Sequence, residues 1–245
     1  MESGTEWYRR WFGEEYVALY PHRNEEEAAS AVGLFLRAAR PPGNRILDLA
    51  CGAGRHLRLL REAGLLAVGL DLSMPLLRLA RSSQPNALLV RGDMRDLPFA
   101  DGSFAGVTSF FTSFGYFDTP EEDRRVLAEV RRVLSRGGTF LLDFLNAGAV
   151  RASLVPEDSR MIGGRRVRQH RRIEDEVVVK QIEIERLGGR GPPEVYHERV
   201  RLYEPEELEE MLVAHGLAAA GVYGEYSGAT FGPSSSRLIL TGSAR

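Results

Sequence analysis

Three acids and two glycines carry the chemistry legible in this chain. Asp48 stands in Arg45-Ile46-Leu47-Asp48-Leu49-Ala50-Cys51-Gly52-Ala53-Gly54. Asp71 closes Leu65-Leu66-Ala67-Val68-Gly69-Leu70-Asp71, and Asp93 follows Ala87-Leu88-Leu89-Val90 within Arg91-Gly92-Asp93-Met94. Each acid comes at the end of an apolar run of the kind that forms a strand covered on both faces. Gly52 and Gly54 allow a tight turn and a close approach of backbone to ligand, with no Cβ in the way. Asp71 lies 19 residues beyond Gly52, the distance needed for one helix and a second parallel strand, and an acid there accepts hydrogen bonds from ribose hydroxyls. Asp93 beside Met94 suits an adenine, with the carboxylate toward the exocyclic amine and the thioether against the ring. Singly, each acid is an ordinary cap or loop residue. Three at successive strand ends, in register with a glycine turn, mark a nucleoside site at the carboxyl edge of a parallel sheet.

The turn argues against a dinucleotide. A GxGxxG fingerprint wants a small residue three positions after Gly54, for close helix–strand packing, and Leu57 stands there behind Arg55 and His56. No GxxxxGK[ST] occurs, so the phosphate cradle of a P-loop is excluded. With no lysine near the turn, the expected ligand is an adenosine that carries a charged amino-acid tail instead of phosphates.

These residues resemble the class I S-adenosylmethionine-dependent methyltransferases, over a span from about Arg45 to Arg245. Asp48-Leu49-Ala50-Cys51-Gly52-Ala53-Gly54 is similar to the family's DxGxGxG motif, with Ala50 in place of its first glycine. Val107 to Phe117, worded VTSFFTSFGYF, resembles the fourth strand and following loop of sugar-amine N-methyltransferases and their small-molecule relatives. Leu134-Ser135-Arg136-Gly137-Gly138 resembles the family's turn before the fifth strand. The resemblance implies S-adenosylmethionine as cofactor and S-adenosylhomocysteine as product. It places Asp48, Gly52 and Gly54 at the methionine moiety, Asp71 on the ribose, and Asp93 with Met94 at the adenine. Ala50, Leu72 and Phe110 complete the implied cofactor-binding set.

Methyl transfer from a sulfonium is an in-line displacement, so the protein mainly aligns an acceptor lone pair and excludes water. A neutral amine needs no strong base, whereas a hydroxyl or acidic carbon often does. The acceptor-site candidates are Thr112, Ser113 and Tyr116 after the fourth strand, Asp143 and Asn146 at the end of the fifth, and Arg237 after a run of serines. Loop capping is an equal reading for Asn146, and a solvated position for Arg237; none is assigned as catalytic. The histidines 22, 56, 170, 197 and 215 are scattered, with no HExxH or CxxC, so no metal is expected.

A small-molecule acceptor is the main functional expectation. Two alternatives stay open: an RNA (tRNA) methyltransferase, or a non-catalytic protein that binds the cofactor. Arg165, Arg166, Arg168, Arg171 and Arg172 could contact phosphates, but Glu174, Asp175, Glu176, Glu183 and Glu185 follow at once, which predicts cross-strand charge pairing instead. A net charge of −2 over 245 residues gives no general argument for a nucleic-acid or membrane partner. No run approaches the ~20 apolar residues of a membrane helix, and the N-terminus lacks the pattern of a signal peptide. Cys51, the sole cysteine, excludes an intrachain disulfide and fits a reducing compartment; it reads as a small buried residue rather than a nucleophile. A cytoplasmic location is expected.

The elements that must hold these residues follow from periodicity. The expected fold class is α/β: a Rossmann-like, doubly wound, seven-stranded sheet with an antiparallel last strand, plus a small antiparallel β insertion. Four segments are expected, beginning with residues 1–40 as a helical lid. Trp7, Tyr8, Trp11, Phe12, Tyr16, Val17 and Tyr20 give that lid an aromatic face interrupted at Pro21. Tyr8, Tyr16 and Tyr20 are lid candidates for closing the site, with His22 and Arg23 beside them, since aromatic faces attract a desolvated cation by up to ~2 kcal/mol. Residues 41–146 form the cofactor-binding core. Residues 147–203 form a three-stranded insertion over the acceptor site, and residues 204–245 add a helix and a hairpin. Related small-molecule enzymes use such an insertion in oligomer contacts as well, which makes a homodimer an expectation. Thr119 is the predicted cap of a helix with Pro120 first inside it.

Overall fold

The computed structural model describes residues 6–19, 25–186, 188 and 191–245. The lid candidates Tyr20 and Arg23, with His22, lie outside these residues. The chain opens with α1 (Trp7–Trp11), α2 (Glu14–Leu19) and α3 (Glu25–Leu34), the last continued by a π turn over Phe35–Ala39. The aromatic stretch is broken earlier than Pro21, by a turn at Phe12 and Gly13. Trp11 is 1% exposed and packs with Leu19 against Val167, Ile182 and Ile184, while its indole N–H donates to Glu198 at 2.6 Å.

A βα alternation then builds the core: β1 (Arg45–Leu49), α4 (Arg55–Glu62), β2 (Leu66–Asp71), α5 (Met74–Ser83), β3 (Leu88–Arg91), β4 (Phe104–Ser109), α6 (Pro120–Val133) and β5 (Leu134–Leu145). Apolar runs such as Ile46–Leu49 become strands because both faces are covered. Helix α6 starts where the sequence predicts. The Thr119 hydroxyl accepts from the Glu122 amide at 3.4 Å and the Glu122 carboxylate accepts from the Thr119 amide at 3.2 Å, a reciprocal cap. Its Val126, Leu127, Val130 and Val133 are buried in the core that α6 shares with the sheet.

Strands β1, β2, β3, β4 and β5 run parallel. β1 sits between β2 and β4, so the chain winds outward in both directions from it. The crevice at that reversal, outside the strands' carboxyl ends, is where such sheets bind ligands. The close approach that a third glycine supplies in dinucleotide turns is provided here from the sheet side. A Cβ on Gly69 of β2 would stand 2.7 Å from the Cys51 sulfur and 2.8 Å from Leu57.

After β5 come α7 (Ala147–Ser153), β6 (Glu157–Ile162), β7 (Arg165–Glu174), β8 (Val177–Arg186) and β9 (Glu194–Arg201). The inserted sheet is antiparallel, as expected, but it has four strands in the order β6-β7-β8-β9 rather than three. The extra strand, Glu-Asp-Ser-Arg-Met-Ile, is an edge whose residues are all exposed or half-buried, so it lacks the apolar alternation that marks a strand. Cross-strand charge pairing is present: Arg166 faces Glu185 and pairs with it at 3.1 Å, and Arg171 pairs with Asp158 of β6 at 2.6 Å.

The chain ends with α8 (Pro205–Ala214), β10 (Leu217–Tyr223) and β11 (Arg237–Ala244). β11 is antiparallel to β5 and to β10 and completes a seven-stranded sheet ordered β10-β11-β5-β4-β1-β2-β3. The antiparallel strand is thus last in the chain but second from the sheet edge. No helix among the described residues is long and apolar enough to cross a membrane.

Candidate functional site

A cavity of about 280 Å³ opens at the reversal point. The turn after β1 supplies Ala50, Cys51, Gly52 and Ala53, and the end of β2 supplies Asp71 and Leu72. Gly92, Asp93 and Met94 follow β3, while Phe110, Phe111, Ser113, Tyr116 and Phe117 follow β4. Tyr8, Phe12, Tyr16 and Val17 close it from the N-terminal helices. Gly52 and Gly54 are left-handed (φ 56° and 80°). A Cβ on Gly54 would press to 2.8 Å against Gln84, which donates to the Gly54 carbonyl at 2.8 Å.

Asp71 is 8% exposed at the cavity wall. One oxygen accepts from the Gly52 amide at 2.8 Å and the other from the Ser73 amide at 2.7 Å. A carboxylate offers about four acceptor positions, so about two remain for a ligand diol. Burial pushes its pKa up, and those amides oppose the rise. Asp93 is already engaged: Arg95 donates to it from Nε at 3.0 Å and from Nη2 at 2.7 Å. Burial raises the Asp93 carboxyl, but the Arg95 contacts outweigh it and hold the group below the ordinary carboxylate range. Arg95 also reaches Glu122 at 2.5 Å and the Tyr8 hydroxyl at 3.4 Å, and lies 4.3 Å from the Phe117 ring centre. The Asp93 end of the cavity and the first helix therefore share one guanidinium.

Other expected residues stand behind the wall. Asp48 is 1% exposed and is not among the lining residues. It accepts from the Thr108 hydroxyl at 3.2 Å, and burial drives its pKa to about 7 against the pull of that bond. Gly54 and Thr112 also lie outside the lining set. Cys51 is buried, and its thiol is pushed well up, first by burial and then by the Asp48 and Asp71 charges, so it carries no thiolate for nucleophilic work. Asn146 caps α7, accepting from the Ala149 amide at 3.3 Å and donating to the Ser235 carbonyl at 2.8 Å.

Asp143 and Arg237 are brought together, but as partners of each other. Arg237 donates to both Asp143 oxygens at 2.8 Å, Tyr226 donates its hydroxyl to Asp143, and the Phe111 amide donates at 2.6 Å. Above them Phe111 and Thr112 adopt left-handed backbone (φ 58° and 55°), which costs roughly 1–2 kcal/mol for each residue with a Cβ.

Several wall residues were not singled out from the sequence. Arg55 and His56 open α4 directly after the glycine turn, a position that could have flagged them; His56 stacks on Phe110 at 4.3 Å, and Arg55 lies 4.7 Å from the Phe111 ring centre. Tyr226, which stands behind the wall on Asp143, had no local signal. Chemically, the cavity offers one buried carboxylate for a diol, a guanidinium-held carboxylate for a base edge, a glycine turn for a zwitterionic tail, and an aromatic remainder.

Comparison with known proteins fits this geometry. A methyltransferase domain family matches residues 46–138. The chain is 31% identical over 218 residues to dTDP-3-amino-3,6-dideoxy-alpha-D-glucopyranose N,N-dimethyltransferase of Streptomyces fradiae, covering 82% of this chain and 80% of that one. It is 35% identical over 156 residues to dTDP-3-amino-3,4,6-trideoxy-alpha-D-glucopyranose N,N-dimethyltransferase of Streptomyces venezuelae, covering 60% of this chain and just under two thirds (65%) of the relative. The crystal structure of Streptomyces venezuelae DesVI superposes with a TM-score of 0.72 at 27% identity, over 94% of this chain and 97% of that one.

Proposed function

Since the chain belongs to the class I S-adenosylmethionine-dependent methyltransferases, we propose that it methylates a nitrogen of a small-molecule acceptor, an amino sugar, with S-adenosylmethionine as donor. The observation that carries the proposal is the placement of Asp71, Asp93 and the Gly52 turn around one cavity at the β1/β4 reversal, continuous with an aromatic chamber. The residues fit the cofactor. Asp71 keeps acceptor positions for a ribose diol beyond those filled by the Gly52 and Ser73 amides. Met94 and Phe117 line the cavity with Asp93 and would hold an adenine ring, and the Gly52 turn leaves room for a tail, since a Cβ there would meet only Leu76 at 3.8 Å.

The bound cofactor supplies an already activated methyl group, so alignment and dryness are what the chain must add. Tyr8, Phe12 and Tyr16 set aromatic rings along the N-terminal side of the cavity, with the Ser73 hydroxyl tying the Phe12 carbonyl to the α5 cap at 2.5 Å. Ser113 and Tyr116 line the cavity from the loop after β4; the Ser113 hydroxyl donates to the Phe110 carbonyl at 3.0 Å and keeps lone pairs that would accept from a polar acceptor. A neutral amine brings its own lone pair and asks for no base, which suits walls of aromatic rings and hydroxyls. The relatives named above act on amino sugars, and the ion-paired arginines of β7 favour a small acceptor over RNA.

The test is transfer of labelled methyl to a panel holding dTDP-3-amino-3,6-dideoxyglucose, free amino sugars, their hydroxyl analogues and tRNA. The proposal expects label on an amino sugar and none on the matched hydroxyl sugar. Label confined to tRNA, or on hydroxyl sugars alone, would refute the acceptor class.

A further inference from the structure

A buried charge cluster stands behind the cavity wall, next to the loop that follows β4. Asp143, at the end of β5, is 0% exposed. Its carboxylate takes two donations from Arg237 of β11, one from the Tyr226 hydroxyl, and one at 2.6 Å from the Phe111 amide. Its own carbonyl accepts from the Thr112 amide at 3.1 Å. Those two amides belong to the two consecutive left-handed residues of the loop that follows β4. Arg55 and Arg237 each hold a guanidinium 4.7 Å from the centre of the Phe111 ring.

We propose that Asp143 is a positioning residue for methyl transfer: it holds Phe111 and Thr112 in left-handed backbone, and so sets the loop that carries Phe111, Ser113 and Tyr116 into the cavity. The role rests on the methyltransferase reading above, but the loop geometry it explains does not. Two adjacent residues with Cβ atoms adopt this conformation only where the surroundings over-determine it. The Phe111 amide finds its acceptor on Asp143, and Arg237 with Tyr226 keeps that acceptor aimed. Arg237 in turn spends its charge on Asp143 and its planar face on Phe111 and Tyr226, so it acts through the loop rather than on substrate.

Asp143→Asn is close to isosteric, but its amide sets an NH2 either against Arg237 Nε or against the Phe111 amide, and the one oxygen that remains is uncharged, so the hold on the Phe111 amide weakens in either orientation. The variant should keep the wild-type circular dichroism. Amides 110–114 should exchange with deuterium about tenfold faster or more, while those of β1 stay unchanged. Adenosylhomocysteine affinity, by calorimetry, should stay within about threefold, while KM for an acceptor that turns over rises about tenfold. Adding Thr112→Gly, which removes one left-handed penalty, should recover at least about half of the lost protection; a residue needed only for stability would show no such local rescue. Wild-type exchange in Asp143→Asn, or no recovery in the double variant, would overturn the role. If Asp143→Asn does not fold, Tyr226→Phe removes one donor only and should speed exchange at the same amides by about twofold to fivefold; unchanged exchange there would likewise overturn it. Failure of wild-type protein to bind adenosylhomocysteine would count against the methyltransferase reading, and the exchange result would still decide this one.

Discussion

Asp71→Ala is the substitution whose consequence follows most directly from the geometry. Asp71 closes β2 at the cavity wall, and its two oxygens already accept from the Gly52 and Ser73 amides. The remaining acceptor positions can take two hydroxyls of a ribose, and hydrogen bonds to a charged group contribute about 1.5–3 kcal/mol each. Losing both removes about 3–6 kcal/mol of binding, a loss of about a hundredfold to about ten-thousandfold in affinity for adenosylhomocysteine. The freed Gly52 and Ser73 amides loosen the glycine turn and the α5 cap, which acts in the same direction. Folding is the smaller effect, because Asp71 borders the cavity and water can reach the freed amides. Calorimetric titration of both proteins, with a thermal melt to show that the variant is folded, measures the effect. Affinity within about threefold of wild type would refute the ribose assignment, because no arrangement of two charge-assisted bonds is worth so little.

Two further outcomes are expected. Asp123 is buried on α6 and accepts from the Tyr203 hydroxyl at 2.7 Å, and burial pushes its pKa to about 7. The folded state therefore holds a proton that the unfolded chain releases near pH 4, and this contribution is lost as pH rises from about 4 through about 7. Asp123→Asn should gain stability relative to wild type between pH 4.5 and pH 8, by up to about 4 kcal/mol in urea unfolding; a constant difference would contradict the raised pKa. Gly54→Ala should lose about 1–3 kcal/mol of stability, since φ is 80° and the new Cβ would stand 2.8 Å from Gln84 and 3.0 Å from Ala80; an unchanged unfolding midpoint would show that the turn relaxes freely.

The core and its cavity were largely legible because their signals are local. An apolar run, a glycine turn and an acid at the strand end need only their own neighbours, and the α6 cap is written within four residues, Thr119 to Glu122. Strand β6 was not legible, because an edge strand with no buried residue carries no alternation to detect. The break at Gly13 was missed because the aromatic pattern runs through it. Trp11 turns away from a simple roof and docks on the inserted sheet, a partner more than 150 residues distant in the chain. Asp143 and Arg237 were each visible as candidates, but not as a pair. They are 94 residues apart, and nothing in either segment announces that β11 inserts beside β5 and brings the two charges into contact.

Titration of the wild-type protein with adenosylhomocysteine, with NAD as the control ligand, tests the central claim most directly. The glycine turn, Asp71 and Asp93 predict adenosylhomocysteine binding at micromolar concentration or tighter, and no heat with NAD. Binding of NAD without adenosylhomocysteine would contradict the account and leave only the doubly wound fold.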